Sequence, residues 1–298
     1  MIVAFGAPRA TWNLVDDARQ LFEFPFMVHA FVAGTIVAVV AAVIGWFMVL
    51  RRQTFAGHTL ALVGFPGAAG AVLIGVSANV GYFASCIAAA LVIAATPRGR
   101  AGAVGEESAV IGTTQAFGLA CGYLFVTLYG GNLNSVGDLL FGSFLGITSA
   151  QIVALAVFAA VALAILAVLA RPLLFASVDP EVAASRSLPM RVLAVAFLVL
   201  LGVAAAETSQ ITGSLLVFAL LVLPAASAQR ITARPGLSIA VSVAIALAVT
   251  WIGLAVAYFS PYPIGFWVTT IAFAAYVGVH LPLARLRGRR PSLVPRVS

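Results

Sequence analysis

Few side chains in this sequence carry chemistry, and most stand alone. His58 follows Gly57 at the start of an apolar run. Glu207 opens the polar stretch Glu207-Thr208-Ser209-Gln210 between two such runs, and Asp138 sits in the short segment 135–148. Imidazole suits zinc and other borderline ions, while carboxylate suits harder ones, so His58 and Glu207 are candidate metal contacts. Each has a second reading. His58 also fits a histidine hydrogen-bonded to backbone at a helix end, Glu207 a solvated loop carboxylate, and Asp138 the cap of a short helix. Cys86 and Cys121 have no CxxC spacing and read as buried free thiols. His29 and His280 lie near segment ends and are not taken as ligands. With no HExxH, Walker A or Ser-His-Asp pattern, the chain shows no hydrolytic machinery of its own.

A different kind of element follows Arg171. The loop reads Leu173-Leu174-Phe175-Ala176-Ser177-Val178-Asp179-Pro180-Glu181-Val182-Ala183-Ala184-Ser185-Arg186. Asp179 is suited to N-cap a helix, Pro180 to its first position and Glu181 to its first turn. The spacing predicts a short capped helix that exposes Val182 beside Phe175, the shape of a docking element. An ordinary inter-helix loop is the alternative.

The elements that must hold these residues follow from composition. Of 298 residues, 63% are hydrophobic and 8% charged. A soluble domain carries about 25% charged residues, and a globule this apolar could not wet its surface. A soluble enzyme and a disordered chain are both excluded, which leaves a bilayer as the solvent. Nine apolar runs stand out: 28–50, 58–77, 80–96, 109–129, 150–170, 191–206, 211–229, 237–258 and 263–284. Spanning segments in lipid must be helices or closed barrels, and about 20 apolar residues cross the hydrocarbon as a helix. The expected fold is an all-α polytopic membrane protein of about eight to nine transmembrane helices.

The net charge of +7 comes from arginine alone, since lysine is absent. With the N-terminus outside and the runs alternating, 16 arginines divide so that only Arg9 and Arg19 fall outside. The positive-inside rule selects this topology over its inverse and puts the C-terminus in the cytoplasm. The excess charge is therefore topogenic, with no call for nucleic acid. The segment 135–148 is too short to span and would reverse every later arginine, so it reads as an outer-side half-helix. Residues 1–27 read as an outer-side segment that could form an interfacial helix, 28–284 as the transmembrane domain, and 285–298 as a basic cytoplasmic tail. The acidic residues Asp16, Asp17 and Glu23 do not suit a signal peptide.

Five stretches in order carry a family pattern. They are Arg51-Arg52-Gln53-Thr54-Phe55-Ala56-Gly57-His58-Thr59-Leu60-Ala61-Leu62 with Pro66-Gly67; Glu107-Ser108-Ala109-Val110-Ile111-Gly112; Phe141-Gly142-Ser143; Val178-Asp179-Pro180-Glu181-Val182-Ala183; and Gly213 through Ala226, which includes Pro224. Together they resemble the permease subunits of ABC-type importers for zinc and manganese, the ABC-3 family, from about Phe26 to about Leu283. The resemblance implies a bacterial cytoplasmic-membrane permease that is not itself an enzyme and binds no covalent cofactor. It implies a second permease copy, two cytoplasmic ATPases docked on Asp179, Pro180, Glu181, Val182 and Ala183, and an extracytoplasmic metal-binding protein delivering a divalent metal. Gly57, Pro66, Gly67, Gly213 and Pro224 are motif positions with structural roles.

One departure bears on the cargo. The family pattern has Asp and His as metal ligands one helical turn apart, and these positions hold His58 and Leu62 here. His58 can still coordinate, but Leu62 cannot, so waters, Glu207 or other groups would have to complete the shell. The expected function is transport of zinc or manganese. Transport of a chelated metal or organic solute is the alternative, followed by a proton-coupled secondary transporter using His58 and Glu207.

Overall fold

The computed structural model describes residues 14–95, 103–130, 146–214 and 217–288. Asp138 and Phe141-Gly142-Ser143, where the half-helix is expected, lie outside the described residues, as do residues 1–13 and the tail beyond 288. Within them the chain forms α1 (Leu14–Glu23), α2 (Pro25–Leu50), α3 (Thr54–Leu73), α4 (Ala78–Ala95), α5 (Ala103–Tyr129) and α6 (Ser149–Val178). It continues as α7 (Pro180–Ser185), α8 (Met190–Thr212), α9 (Val217–Ile231), α10 (Pro235–Tyr258) and α11 (Ile264–Gly288). Eight of these helices contain spans long and apolar enough to cross a membrane, in α2 to α6, α8, α10 and α11; α9 is apolar but shorter.

Helix ends follow the sequence chemistry. Pro25, Pro180 and Pro235 stand at the first turns of α2, α7 and α10, where the missing N–H costs nothing. Thr148 and Gln151 form a reciprocal capping box at the start of α6. Pro66 and Pro224 lie inside α3 and α9, which buried helices tolerate because neighbours satisfy the freed backbone groups.

α2 is the hub and packs against α6, α8, α9 and α10, while α3 packs on α4, α5 and α8. Small residues let these helices close. A Cβ on Gly67 would overlap the Gly81 carbonyl of α4, and one on Gly45 would overlap the Leu221 carbonyl of α9. Exposed apolar side chains such as Phe117, Val157, Val168 and Phe273 cover α5, α6 and α11, as lipid-facing surfaces require.

The sequence pattern misplaces two boundaries. Leu173 to Val178 read as the start of a loop, yet α6 runs through Pro172 to Val178. The Glu207-Thr208-Ser209-Gln210 stretch reads as a break, yet α8 runs through it to Thr212. Thr208 Oγ1 donates to the Ala204 carbonyl at 2.7 Å and Thr212 Oγ1 to the Thr208 carbonyl at 3.0 Å. These hydroxyls are satisfied within their own helix, so polarity does not end it. The break comes at Gly213, whose φ of 75° is a left-handed conformation that suits glycine. The next helix then starts at Val217.

Candidate functional site

His58 lies one turn into α3 and is half-buried. Its ring meets Phe218 of α9 edge to face, with centroids 5.0 Å apart and planes at 73°. Nδ1 is buried without a hydrogen-bond partner, so the backbone-bonded alternative does not describe that nitrogen. Its flanks are packed against neighbours: a Cβ on Gly57 would meet the Met48 sulfur, and Thr59 Oγ1 donates to Gln115 Oε1 on α5 at 2.9 Å. Leu62, one turn on, is buried.

Glu207 is 0% exposed, and both carboxylate oxygens are without hydrogen-bond partners. It is therefore not a solvated loop carboxylate. Ser209 of α8 comes close to α3, its Oγ 3.4 Å from a Cβ built on Gly64, and a Cβ on Gly202 would press on the Cys86 carbonyl of α4. Successive helical residues turn by about 100°, so Glu207 leaves α8 about 200° away from Ser209. Among the described residues, no three His, Cys, Asp or Glu side chains come together as a metal site. Cys86 is a buried free thiol donating to the Leu60 carbonyl at 3.2 Å; Cys121 is free and only half-buried.

The predicted docking helix is present as α7. The Asp179 carboxylate accepts from the Val182 N–H at 3.0 Å, with Pro180 and Glu181 in the first turn. Ala183 is fully buried and anchors α7, while Val182 is 40% exposed. Phe175 is partly buried and carries the Arg186 guanidinium 5.7 Å above its ring.

Sequence reasoning counted Arg51 only as charge and as part of a motif. In the fold its Nη1 donates to Ser177 Oγ of α6 at 3.2 Å, and its guanidinium lies 5.2 Å from the centroid of the Phe197 ring on α8. The family's Arg-Arg pair was the available signal, but its partners are more than a hundred residues away in the chain.

A bundle of apolar helices long enough to span a bilayer, joined by one short capped helix, defines a multi-pass membrane protein. Residues 23–281 match the ABC 3 transport family, and the chain belongs to it. Its relatives include the manganese transport system membrane protein MntC of Halalkalibacterium halodurans, 28% identical over 74% of this chain and 75% of that protein. Another is the chelated iron transport system membrane protein YfeC of Yersinia pestis, 28% identical over 78% of each. Among solved structures the fold is similar to PsaBC from Streptococcus pneumoniae in complex with Fab, with a TM-score of 0.79 and 21% identity over 89% of this chain and 95% of that one. The chain is thus a transport component of an ABC system in the bacterial plasma membrane, not an enzyme, and ATP hydrolysis belongs to a separate subunit. Family membership overturns the secondary-transporter alternative.

Proposed function

We propose that this chain is the permease subunit of an ATP-driven importer for a divalent transition metal, zinc or manganese, working as a pair of copies. Two cytoplasmic ATPases dock on α7 through Val182 and its neighbours, and an extracytoplasmic binding protein delivers the metal at the opposite end. The N-terminus is outside and the C-terminus cytoplasmic. The carrying observation is α7 itself: capped by Asp179, anchored by Ala183 and presenting Val182 outward. A six-residue helix would be marginal alone, so its cap and anchor support a mechanical role.

His58 is the proposed metal contact on α3, with an uncommitted ring nitrogen. Glu207 is a second proposed contact, because an unpartnered carboxyl at membrane depth is costly to keep without function. A second reading, transport of a metal chelate, is favoured by the loss of the paired ligands at His58 and Leu62: a lone imidazole holds a bare ion poorly. The test is uptake into proteoliposomes holding the permease, its ATPase and its binding protein. ATP-dependent accumulation of free zinc or manganese supports the first reading. Accumulation of the chelated ion alone selects the second, and neither would overturn both.

A further inference from the structure

We propose that Arg51 is a positioning residue that transmits movement of α7 to the α2–α3 corner carrying His58. The inference rests on reading α7 as the ATPase dock. Arg51 is the C-terminal cap of α2, its N–H bonding the Phe47 carbonyl at 2.9 Å. Its side chain reaches Ser177 in the last turn of α6 at 3.2 Å. Ser177 stands two residues before Asp179, whose carboxylate caps α7. The same guanidinium lies over Phe197 on α8. One side chain therefore ties together the ends of α2 and α6 and the third turn of α8, two residues before the cap of the docking helix.

The other side of this joint is stiff. Arg52 has a φ of 57°, an uncommon conformation for a residue with a Cβ. The Gln53 N–H bonds the Met48 carbonyl at 3.0 Å, α3 begins at Thr54, and Gly57 is jammed against Met48. A corner held this way moves as a unit, so a displacement at Arg51 reaches His58 seven residues later. α3 packs on α4, α5 and α8, and the Arg51 corner gives it a polar route to the α6–α7 junction. The route needs arginine. A planar fork can hold a hydroxyl with one nitrogen while stacking on an aromatic ring, and an ammonium cannot do both.

The test uses the full transporter in proteoliposomes with the parent chain, Arg51→Lys, Ser177→Ala and the double variant. Uptake per ATP hydrolysed is read beside ATPase co-purification and thermal unfolding temperature. Arg51→Lys should lower the uptake ratio about fivefold or more, the size of a modest coupling free energy, with assembly and unfolding temperature near the parent's. Ser177→Ala should lower it less, and the double variant should be no worse than Arg51→Lys alone, because both cut one link. A parental ratio in Arg51→Lys, or effects that multiply in the double variant, overturns the inference. A lowered ratio that tracks lost assembly or stability also overturns it, leaving Arg51 merely structural. If the parent chain neither binds nor stimulates the ATPase, the docking reading of α7 fails first and takes this inference with it.

Discussion

His58 and Glu207 are each polar atoms in an apolar medium, but they ask for different experiments. At His58 the ring is half-buried with one buried nitrogen uncommitted, so replacing it removes a lone pair together with the edge-to-face contact on Phe218. His58→Ala should abolish metal-stimulated ATP hydrolysis while the ATPase still co-purifies. Leu62→His restores an imidazole one turn away on the same face and should tighten metal binding, measured by isothermal titration. Normal uptake in the first variant would remove His58 from the cargo path. Glu207 is the more expensive group, since a buried polar group without a partner costs about 1–3 kcal/mol. Glu207→Leu should therefore raise the thermal unfolding temperature by a comparable stability gain and lower uptake in the same protein. A stability gain with undiminished uptake would show that Glu207 does not serve transport.

At the scale of elements, α7 is the part whose chemistry was legible before its structure. Its cap is made by one carboxylate and one N–H, 3.0 Å apart. Asp179→Ala should destabilise the short helix by about 0.5–2 kcal/mol. Transport and stimulated ATP hydrolysis should fall together while metal affinity stays at the parent value. A variant that stays coupled but binds metal poorly would put α7 on the wrong side of the mechanism. The α8–α9 boundary was less legible, because counting apolar residues cannot see a threonine hydroxyl folded back onto its own helix. Gly213, one glycine among 27, is the true punctuation, and it shares its positive φ with Gly75 and Gly130 among the described residues.

For the whole molecule, the arginine distribution makes a prediction about sidedness. Val182 on α7 and Tyr262 between α10 and α11 are both exposed, at 40% and 60%, and they belong to opposite ends in the proposed topology. In a chain with Cys121→Ser, Tyr262→Cys should react with an impermeant thiol reagent added to intact cells. Val182→Cys should react only after the membrane is opened. The reverse pattern would invert the topology and place the ATPase dock outside.

The sequence by itself determined the solvent, most of the helices and the cap of α7. Those depend on local quantities: apolar run length, the absence of lysine, and the Asp179-Pro180-Glu181 order. Only the tertiary structure decided which faces meet. In a soluble helix the polar face marks the outside, but here lipid and core are both apolar, so hydrophobic periodicity says little about orientation. That Glu207 is enclosed within α8, and not solvated in a loop, depends on the helices packed around it. Whether Arg51 is more than a topogenic charge depends on Ser177 and Phe197 arriving beside it. These contacts join residues far apart in the chain. They exist because close packing through small residues brings the helices together in one arrangement, which no local pattern spells out.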